Sequence, residues 1–201
     1  MPGSPERVRL DDGRTVEIRP IAPLDAEGLA RGLDALSDES RYRRFLSAKQ
    51  EFSRRELELL TAVDHHASEA LVALEPGTEH GVGVARFVKD PADPTAAEVA
   101  IVVDDQWQSH GLGTILLDRI VVRATEEGVS RFTATVLQTN DEVLALLRAL
   151  GPLEYRSVAF GVIELTVPLP VGEPCPPSLR GALRAAARGA LALTGLDGTR
   201  T

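Results

Sequence analysis

The segment Gln108-Ser109-His110-Gly111-Leu112-Gly113 lies between an apolar run, residues 99–103, and the most regular helical pattern of the chain, residues 111–128. The run predicts a strand, and apolar residues spaced three and four apart predict an amphipathic helix. The first N–H groups of a helix have no internal partner and carry the positive end of its dipole. Because the glycines lack side chains, phosphate oxygens can approach this backbone closely. The segment therefore predicts a phosphate- or pyrophosphate-binding loop.

Two common nucleotide-binding loops do not fit its spacing. A Walker loop requires Gly-Lys-Ser or Gly-Lys-Thr, whereas Gly113 is followed by Thr114 and Ile115. A dinucleotide-binding loop requires a third glycine, where this chain has Leu116, and an acidic residue about 20 positions further on. The strand predicted there, residues 132–137, has no acidic residue. Both classes are excluded.

The amino-acid composition restricts the class of protein and its partners. The chain has 201 residues, of which 43% are hydrophobic and 26% charged, as in a globular domain with a real core. Its formal charge of -8 argues against a nucleic-acid partner. No apolar run is long enough to span a membrane, and residues 1–20 lack a signal-peptide core, so we predict a cytoplasmic location.

The candidate metal ligands are few. The chain has a single cysteine, Cys175, which excludes an intramolecular disulfide and a cysteine-based zinc site. His65 and His66 are adjacent, and adjacent side chains point in different directions. We predict no metal.

Elsewhere the chain alternates strand and helix patterns. Helices are predicted at residues 23–36 and 41–46, after a Ser53–Glu56 capping box, and after Asn140. Strands are predicted on both sides of Asp12-Gly13 and at residues 69–74, 81–89, 96–103, 132–137, 153–159 and 161–167. This order predicts an α/β (α+β) fold with a mixed, mostly antiparallel sheet of about seven strands and flanking helices.

The composition changes after residue 167. Prolines are dense from residue 168 to 177, and Arg180, Arg184 and Arg188 then recur at four-residue spacing. We therefore predict a domain at residues 1–167, followed at 168–201 by a Pro-rich segment and a short amphipathic helix or a disordered tail.

Gln108, Gly111 and Gly113 match the Gln-x-x-Gly-x-Gly pattern of the GNAT N-acetyltransferase superfamily. The resemblance covers residues 19–167. It includes Arg19-Pro20 followed by Asp25-Ala26, which resembles the family's opening passage, and Asn140 at the start of a helix. Within the superfamily, residues 36–42 and Ala97-Glu98 resemble the catalytic domain of bacterial protein-lysine acetyltransferases.

The resemblance implies acetyl-CoA as cosubstrate and an amine as acceptor, a lysine of another protein or a small amine. It implies a splayed central pair of strands that receives the cofactor. Backbone groups of Ile101 and Val103 would hold pantetheine, Asn140 would lie at the same site, and the pyrophosphate would meet the amides of Gln108, Ser109, His110, Gly111, Leu112, Gly113 and Thr114.

Glu98 is the predicted general base. A free lysine titrates near pH 10.4, so holding it neutral at pH 7 costs roughly 4 to 5 kcal/mol, and a base that takes its proton is worth seeking. Glu98 lies on the predicted cofactor strand, upstream of the pantetheine contacts. The alternative is a solvated strand carboxylate without a role in catalysis.

No tyrosine stands where many family members have the acid that protonates the leaving thiolate. That position, seven residues after Asn140, is Leu147. Tyr155 is another candidate, although we expect it to pack in the core. Trp107 is expected to pack beneath the loop, and a protonated His110 could assist anion binding.

The leading hypothesis is an N-acetyltransferase in which the amine attacks the thioester directly. The alternatives are a non-catalytic acyl-CoA-binding sensor module and an enzyme for a small-molecule amine. Homodimer formation is left open.

Overall fold

The computed structural model describes residues 5–47 and 49–170. The helices are α1 (Ala26–Ala35), α2 (Asp38–Phe45), α3 (Arg54–Thr61), α4 (Leu112–Glu126) and α5 (Asp141–Arg148). The strands are β1 (Glu6–Arg9), β2 (Thr15–Pro20), β3 (Ser68–Leu74), β4 (Gly81–Asp90), β5 (Asp93–Val103), β6 (Arg131–Leu137), β7 (Glu154–Ala159) and β8 (Val162–Pro168).

The strands form one eight-stranded sheet in the order β1-β2-β3-β4-β5-β6-β8-β7. Neighbouring strands run antiparallel except β5 and β6, which are parallel and joined through α4. The predicted mixed, mostly antiparallel sheet with flanking helices is confirmed, with eight strands in place of about seven.

The helices cover both faces of the sheet. On one face the apolar side of α4, including Leu116, Leu117 and Ile120, packs on Phe87 and Phe132 in the main core. On the other face α1 packs on β4, and the smaller core there includes Ile21, Val72 and Leu74. Residues of β4 and β5 therefore point alternately toward α4 and toward α1.

The central strands β5 and β6 separate after a short stretch of pairing. Their register joins Ala96 to Arg131, Ala97 to Phe132, and Glu98 to Thr133. Beyond these pairs β5 continues along β4 to Val103, while β6 continues along β8 to Leu137. The predicted splayed pair is confirmed, and its fork lies at Glu98.

Local sequence signals account for most element ends. Gly13 has φ of 92° in the first hairpin, a conformation that favours glycine. The first helix is shorter than residues 23–36, because Pro23–Asp25 forms a 3₁₀ turn before α1. Helix α2 begins at Asp38, earlier than predicted, because the Ser37 side chain accepts the Ser40 amide.

The predicted Ser53–Glu56 capping box is present. At the other end, β8 reaches Pro168, and Leu169 is buried with its amide donating to the Ser130 carbonyl. The tail predicted at 168–201, with Arg180, Arg184 and Arg188, lies outside the described residues from position 171 onward.

Candidate active site

A cleft of about 470 Å³ opens where β5 and β6 diverge. Residues 98–103 of β5 form one wall and residues 134–136 of β6 the other. Side chains of α2 and α5 and the loop before α4 complete it. The cleft therefore runs from the fork at Glu98 to the first turn of α4.

The loop before α4 turns sharply to present the start of that helix. Ser109 has φ of 60° and Gly111 has φ of 86°, so the backbone is left-handed at both positions. Gly111 is the N-cap, and α4 begins at Leu112. The first amides of α4 therefore lack partners within the helix and, together with its dipole, favour an anion at this end of the cleft.

Thr114 supplies a further sign that a ligand belongs here. Thr114 is 5% exposed and lines the cleft, and its hydroxyl oxygen has no hydrogen-bond partner among residues 5–47 and 49–170. A buried polar atom without a partner is costly, and a phosphate oxygen would satisfy it. The residues at the first turn of α4 thus fit a phosphate-bearing cofactor.

The side chain of Gln108 points inward and holds the loop together. Its amide nitrogen lies 3.0 Å from the Val103 carbonyl oxygen, 2.9 Å from Asp105 Oδ1 and 3.4 Å from Ser40 Oγ. The predicted role of Gln108 rested on its backbone amide alone. The structure adds that its side chain ties the end of β5 to α2.

Asp105 was not predicted, and it joins the start of α2 to the loop before α4. Its carboxylate accepts the Ser37 amide at 2.8 Å and the Ser40 hydroxyl at 2.5 Å. Burial acts to raise the pKa of Asp105, but these hydrogen bonds and that from Gln108 outweigh it and hold the pKa below its ordinary value. A short acidic residue two positions past a strand is common, so sequence alone could not single it out.

The hairpin between β1 and β2 clamps the same loop from outside. The Arg14 guanidinium donates to the Gln106 carbonyl at 3.1 and 3.2 Å and lies 4.2 Å from the centre of the Trp107 ring. Trp107 is buried, as expected. The His110 ring lies 3.4 Å from Asp12, so it is directed at the hairpin and away from the cleft.

The predicted site residues largely converge on this cleft. Those that line it are Glu98, Ile101, Val103, Gln108, Ser109, Gly111, Gly113, Thr114 and Asn140. Asn140 caps α5 by accepting the Val143 amide at 3.3 Å. Leu112 does not line the cleft, because its side chain is buried in the main core.

Neither tyrosine of the chain lines the cleft. Leu147, at the position expected for an acid, is 1% exposed and lines the cleft with an apolar side chain. Tyr42 is 50% exposed and Tyr155 is 53% exposed. The expectation that Tyr155 packs in the core is wrong, because it lies on the edge strand β7, which is exposed throughout.

The histidine pair has partners other than a metal. His65 lies 2.9 Å from Glu69, and His66 lies 3.2 Å from Glu127. Within residues 5–47 and 49–170 there is no group of three side chains suited to hold a metal ion. In the same ranges, no helix has the length and apolar character needed to cross a membrane.

The Acetyltransferase (GNAT) family profile matches residues 33–151, which include the fork, the loop and α5. The chain belongs to the GNAT acetyltransferase family. GNAT enzymes take their acetyl group from acetyl-CoA, so membership confirms the predicted family and cosubstrate.

Individual relatives agree with this assignment. The chain is 33% identical over 187 residues to Acetyltransferase Pat of Mycolicibacterium smegmatis, covering 92% of this chain and 56% of that protein. It is 32% identical over 144 residues to Acetyltransferase PA5475 of Pseudomonas aeruginosa, covering 71% of this chain and 77% of that one. The GNAT domain of S. lividans PAT superimposes with a TM-score of 0.73 at 32% identity, over 82% of this chain and 97% of that chain. The chain thus spans little more than half of the first relative's length.

Proposed function

We propose that this domain transfers the acetyl group of acetyl-CoA to the side-chain amine of a protein lysine, with Glu98 as general base. The observation that carries the proposal is the fork itself. The last pair between β5 and β6 places Glu98 at the narrow end of a cleft whose far end is the N-terminus of α4. A proton acceptor and an anion site thus share one cavity.

The chain offers distinct groups for the two ends of acetyl-CoA. The amides of residues 108–114, the α4 dipole and the Thr114 hydroxyl suit the pyrophosphate. Beyond Glu98, the backbone groups of β5 that point toward β6 pair with no strand in the part of the chain that the structure describes. The backbone groups of Ile101 and the amide of Val103 can therefore bind pantetheine as an added strand would, while the Val103 carbonyl already accepts from Gln108. Asn140 lines the same cleft.

The position and exposure of Glu98 support its proposed role as acceptor of the amine's proton. It lines the cleft and is exposed, so an amine or a bridging water can reach its carboxylate. Acetyl-CoA supplies the activated thioester. Because a thiol with pKa near 8.5 leaves tolerably as thiolate, transfer does not require a tyrosine acid where Leu147 stands.

The assignment of a protein lysine rests on likeness and access. Residues 36–42 and Ala97-Glu98 resemble bacterial protein-lysine acetyltransferases. The exposure of Glu98 at the fork also leaves room for a large acceptor to approach. A small amine is the second candidate acceptor, and a non-catalytic acyl-CoA sensor is the remaining alternative.

Incubating the protein with acetyl-CoA and a cell extract, followed by mass spectrometry, tests the proposal. We expect acetyl-lysine on a limited set of proteins, absent when the enzyme or acetyl-CoA is omitted. Acetylated small amines without acetylated proteins would show that the acceptor is a small amine and not a protein lysine. Tight acetyl-CoA binding with no acetylated product in either pool would favour the sensor.

A further inference from the structure

Arg44 of α2 and Arg86 of β4 stand apart from the other arginines near the site. Both are half-buried, and neither makes a hydrogen bond or ion pair within residues 5–47 and 49–170; Arg44 only stacks 5.0 Å from the Phe45 ring. Every other half-buried arginine in those ranges has such a partner, namely Arg14, Arg19, Arg41, Arg43, Arg119, Arg123 and Arg131.

These two guanidinium groups are electrostatically unbalanced. Burial lowers the pKa of both, and the nearby Arg86 lowers the pKa of Arg44 further. Glu98 is the carboxylate that attracts both, so these three side chains together carry two positive charges against one negative. Half-buried cations with unused hydrogen-bond donors are costly to keep in a fold. A second carboxylate would balance the cluster.

The position of the pair indicates which ligand brings that carboxylate. In the β4–β5 register Arg86 lies opposite Ala100, and Glu98 lies opposite Val88. Strand alternation therefore places Arg86 and Glu98 on one sheet face, the face of Val84, which packs in the smaller core away from α4.

Two cavities meet at Arg44. It lines the cleft and also a second cavity of about 90 Å³, whose wall includes Arg86 and residues of α1. Ala100 is three residues before Val103, so Arg86 is about 10 Å along the strand from the end that leads to the pyrophosphate loop. The pair thus borders Glu98 on the sheet face opposite α4, and Arg86 is set back along the strand from the loop before α4.

We propose that Arg44 and Arg86 bind the carboxylate of an acidic residue adjacent to the acceptor lysine, so that the preferred target is a lysine flanked by Asp or Glu. This inference rests on the proposed function. The planar guanidinium forks suit a carboxylate. The bound carboxylate also offsets the repulsion that the two cations exert on an incoming lysine.

The test uses pairs of acceptor peptides that differ only in Glu or Gln beside the lysine. For the unaltered protein we expect kcat/KM to be about tenfold higher for the Glu peptide, which corresponds to about 1.4 kcal/mol. Arg86→Gln should bring the two peptides to within about twofold, mainly through KM, and Arg86→Lys should retain part of the preference. The Kd for acetyl-CoA should stay the same in both variants.

Arg156 offers a matched control. It is exposed on β7 and makes no contact with the cleft, so Arg156→Gln should leave the preference intact. Where Arg86→Gln unfolds the protein, as judged by circular dichroism, Arg44→Gln provides the second variant. Arg86→Glu paired with an Arg-flanked peptide should recover activity through the reversed charges.

Equal rates for the two peptides with the unaltered protein would overturn the inference and leave the proposed function standing. A preference that survives in Arg86→Gln, or an equal loss of kcat for both peptides, would also overturn it, because the arginines would then act only on Glu98. If Arg86→Gln lost activity with succinyl-CoA as donor but kept it with acetyl-CoA, the carboxylate that the arginines bind would belong to the acyl donor, and the inference would be overturned. If no lysine peptide is acetylated, the proposed function fails as well.

Discussion

Glu98 of β5 lies directly opposite Thr133 of β6, and this is the last pair that the two strands make. The Thr133 hydroxyl donates to the Ala97 carbonyl at 3.4 Å, just before the strands part. Beyond this pair, one wall of the cleft is β5 and the other is β6. The cofactor site that we propose therefore begins at this fork, beside the Glu98 carboxylate.

Gly111→Ala should weaken acetyl-CoA binding. Gly111 has φ of 86°, and an added Cβ would lie 3.0 Å from Asp11 Oδ2. We expect a loss of about 1 to 2 kcal/mol in the free energy of unfolding and about a tenfold rise in the Kd of acetyl-CoA, measured by denaturation and calorimetry.

Gly128→Ala is the matched control for that change. Gly128 has φ of 82° but nothing within 4 Å of its added Cβ, at the far end of α4. It should lose similar stability while leaving the Kd unchanged. An equal rise in Kd for both variants would mean that backbone strain, and not the loop, sets affinity.

Asp105→Asn should uncouple α2 from the loop before α4. The change leaves the shape but removes the charge that accepts the Ser37 amide and the Ser40 hydroxyl. We expect the free energy of unfolding to fall by about 1 to 2 kcal/mol and the Kd of acetyl-CoA to rise about tenfold. Asp38→Asn is the control, because it alters an exposed residue in the first turn of α2, and it should leave acetyl-CoA binding unaltered. Unchanged acetyl-CoA affinity in Asp105→Asn would argue against the coupling.

The ion pair between Arg19 and Asp25 predicts a pH-dependent contribution to stability. Burial acts to raise the pKa of Asp25, but the Arg19 guanidinium at 2.6 Å and the Ala22 amide outweigh it and hold the pKa below its ordinary value. A lowered carboxyl pKa stabilises the folded state above the unfolded pKa of about 3.9, and that contribution is lost as pH falls through the folded-state value.

Asp25→Asn should therefore destabilise the protein by about 2 kcal/mol near neutral pH, with the difference shrinking in acid. Urea unfolding of both proteins from neutral to acidic pH measures this. A difference that stays constant over the range would show that the charge contributes nothing.

Much of the fold followed from the sequence because its signals are local. Asp12-Gly13, the Ser53–Glu56 capping box and the spacing of apolar residues in α4 each depend on a few neighbouring positions. The fork could not be predicted in this way, because no local signal at Ala97 or Glu98 shows where the pairing of β5 with β6 ends. We predicted it from the family resemblance, and the structure shows its position.

The groups that sequence reasoning missed depend on contacts between distant segments. Asp105 matters because Ser37 and Ser40, far away in the chain, fold against it. Arg44 and Arg86 are notable only because, within residues 5–47 and 49–170, neither makes a hydrogen bond or an ion pair. Tyr155 was misplaced because an alternating pattern does not show that its strand ends the sheet with exposed faces.

Steady-state kinetics of Glu98→Gln with a verified acceptor tests the central claim most directly. Glu164→Gln is the control, because it removes the charge of an exposed carboxylate on β8. We expect kcat/KM to fall at least about 100-fold in Glu98→Gln with the Kd for acetyl-CoA unchanged, and no effect of the control. Unchanged turnover in Glu98→Gln, with acetyl-CoA still bound, would contradict the assignment of Glu98 as the base.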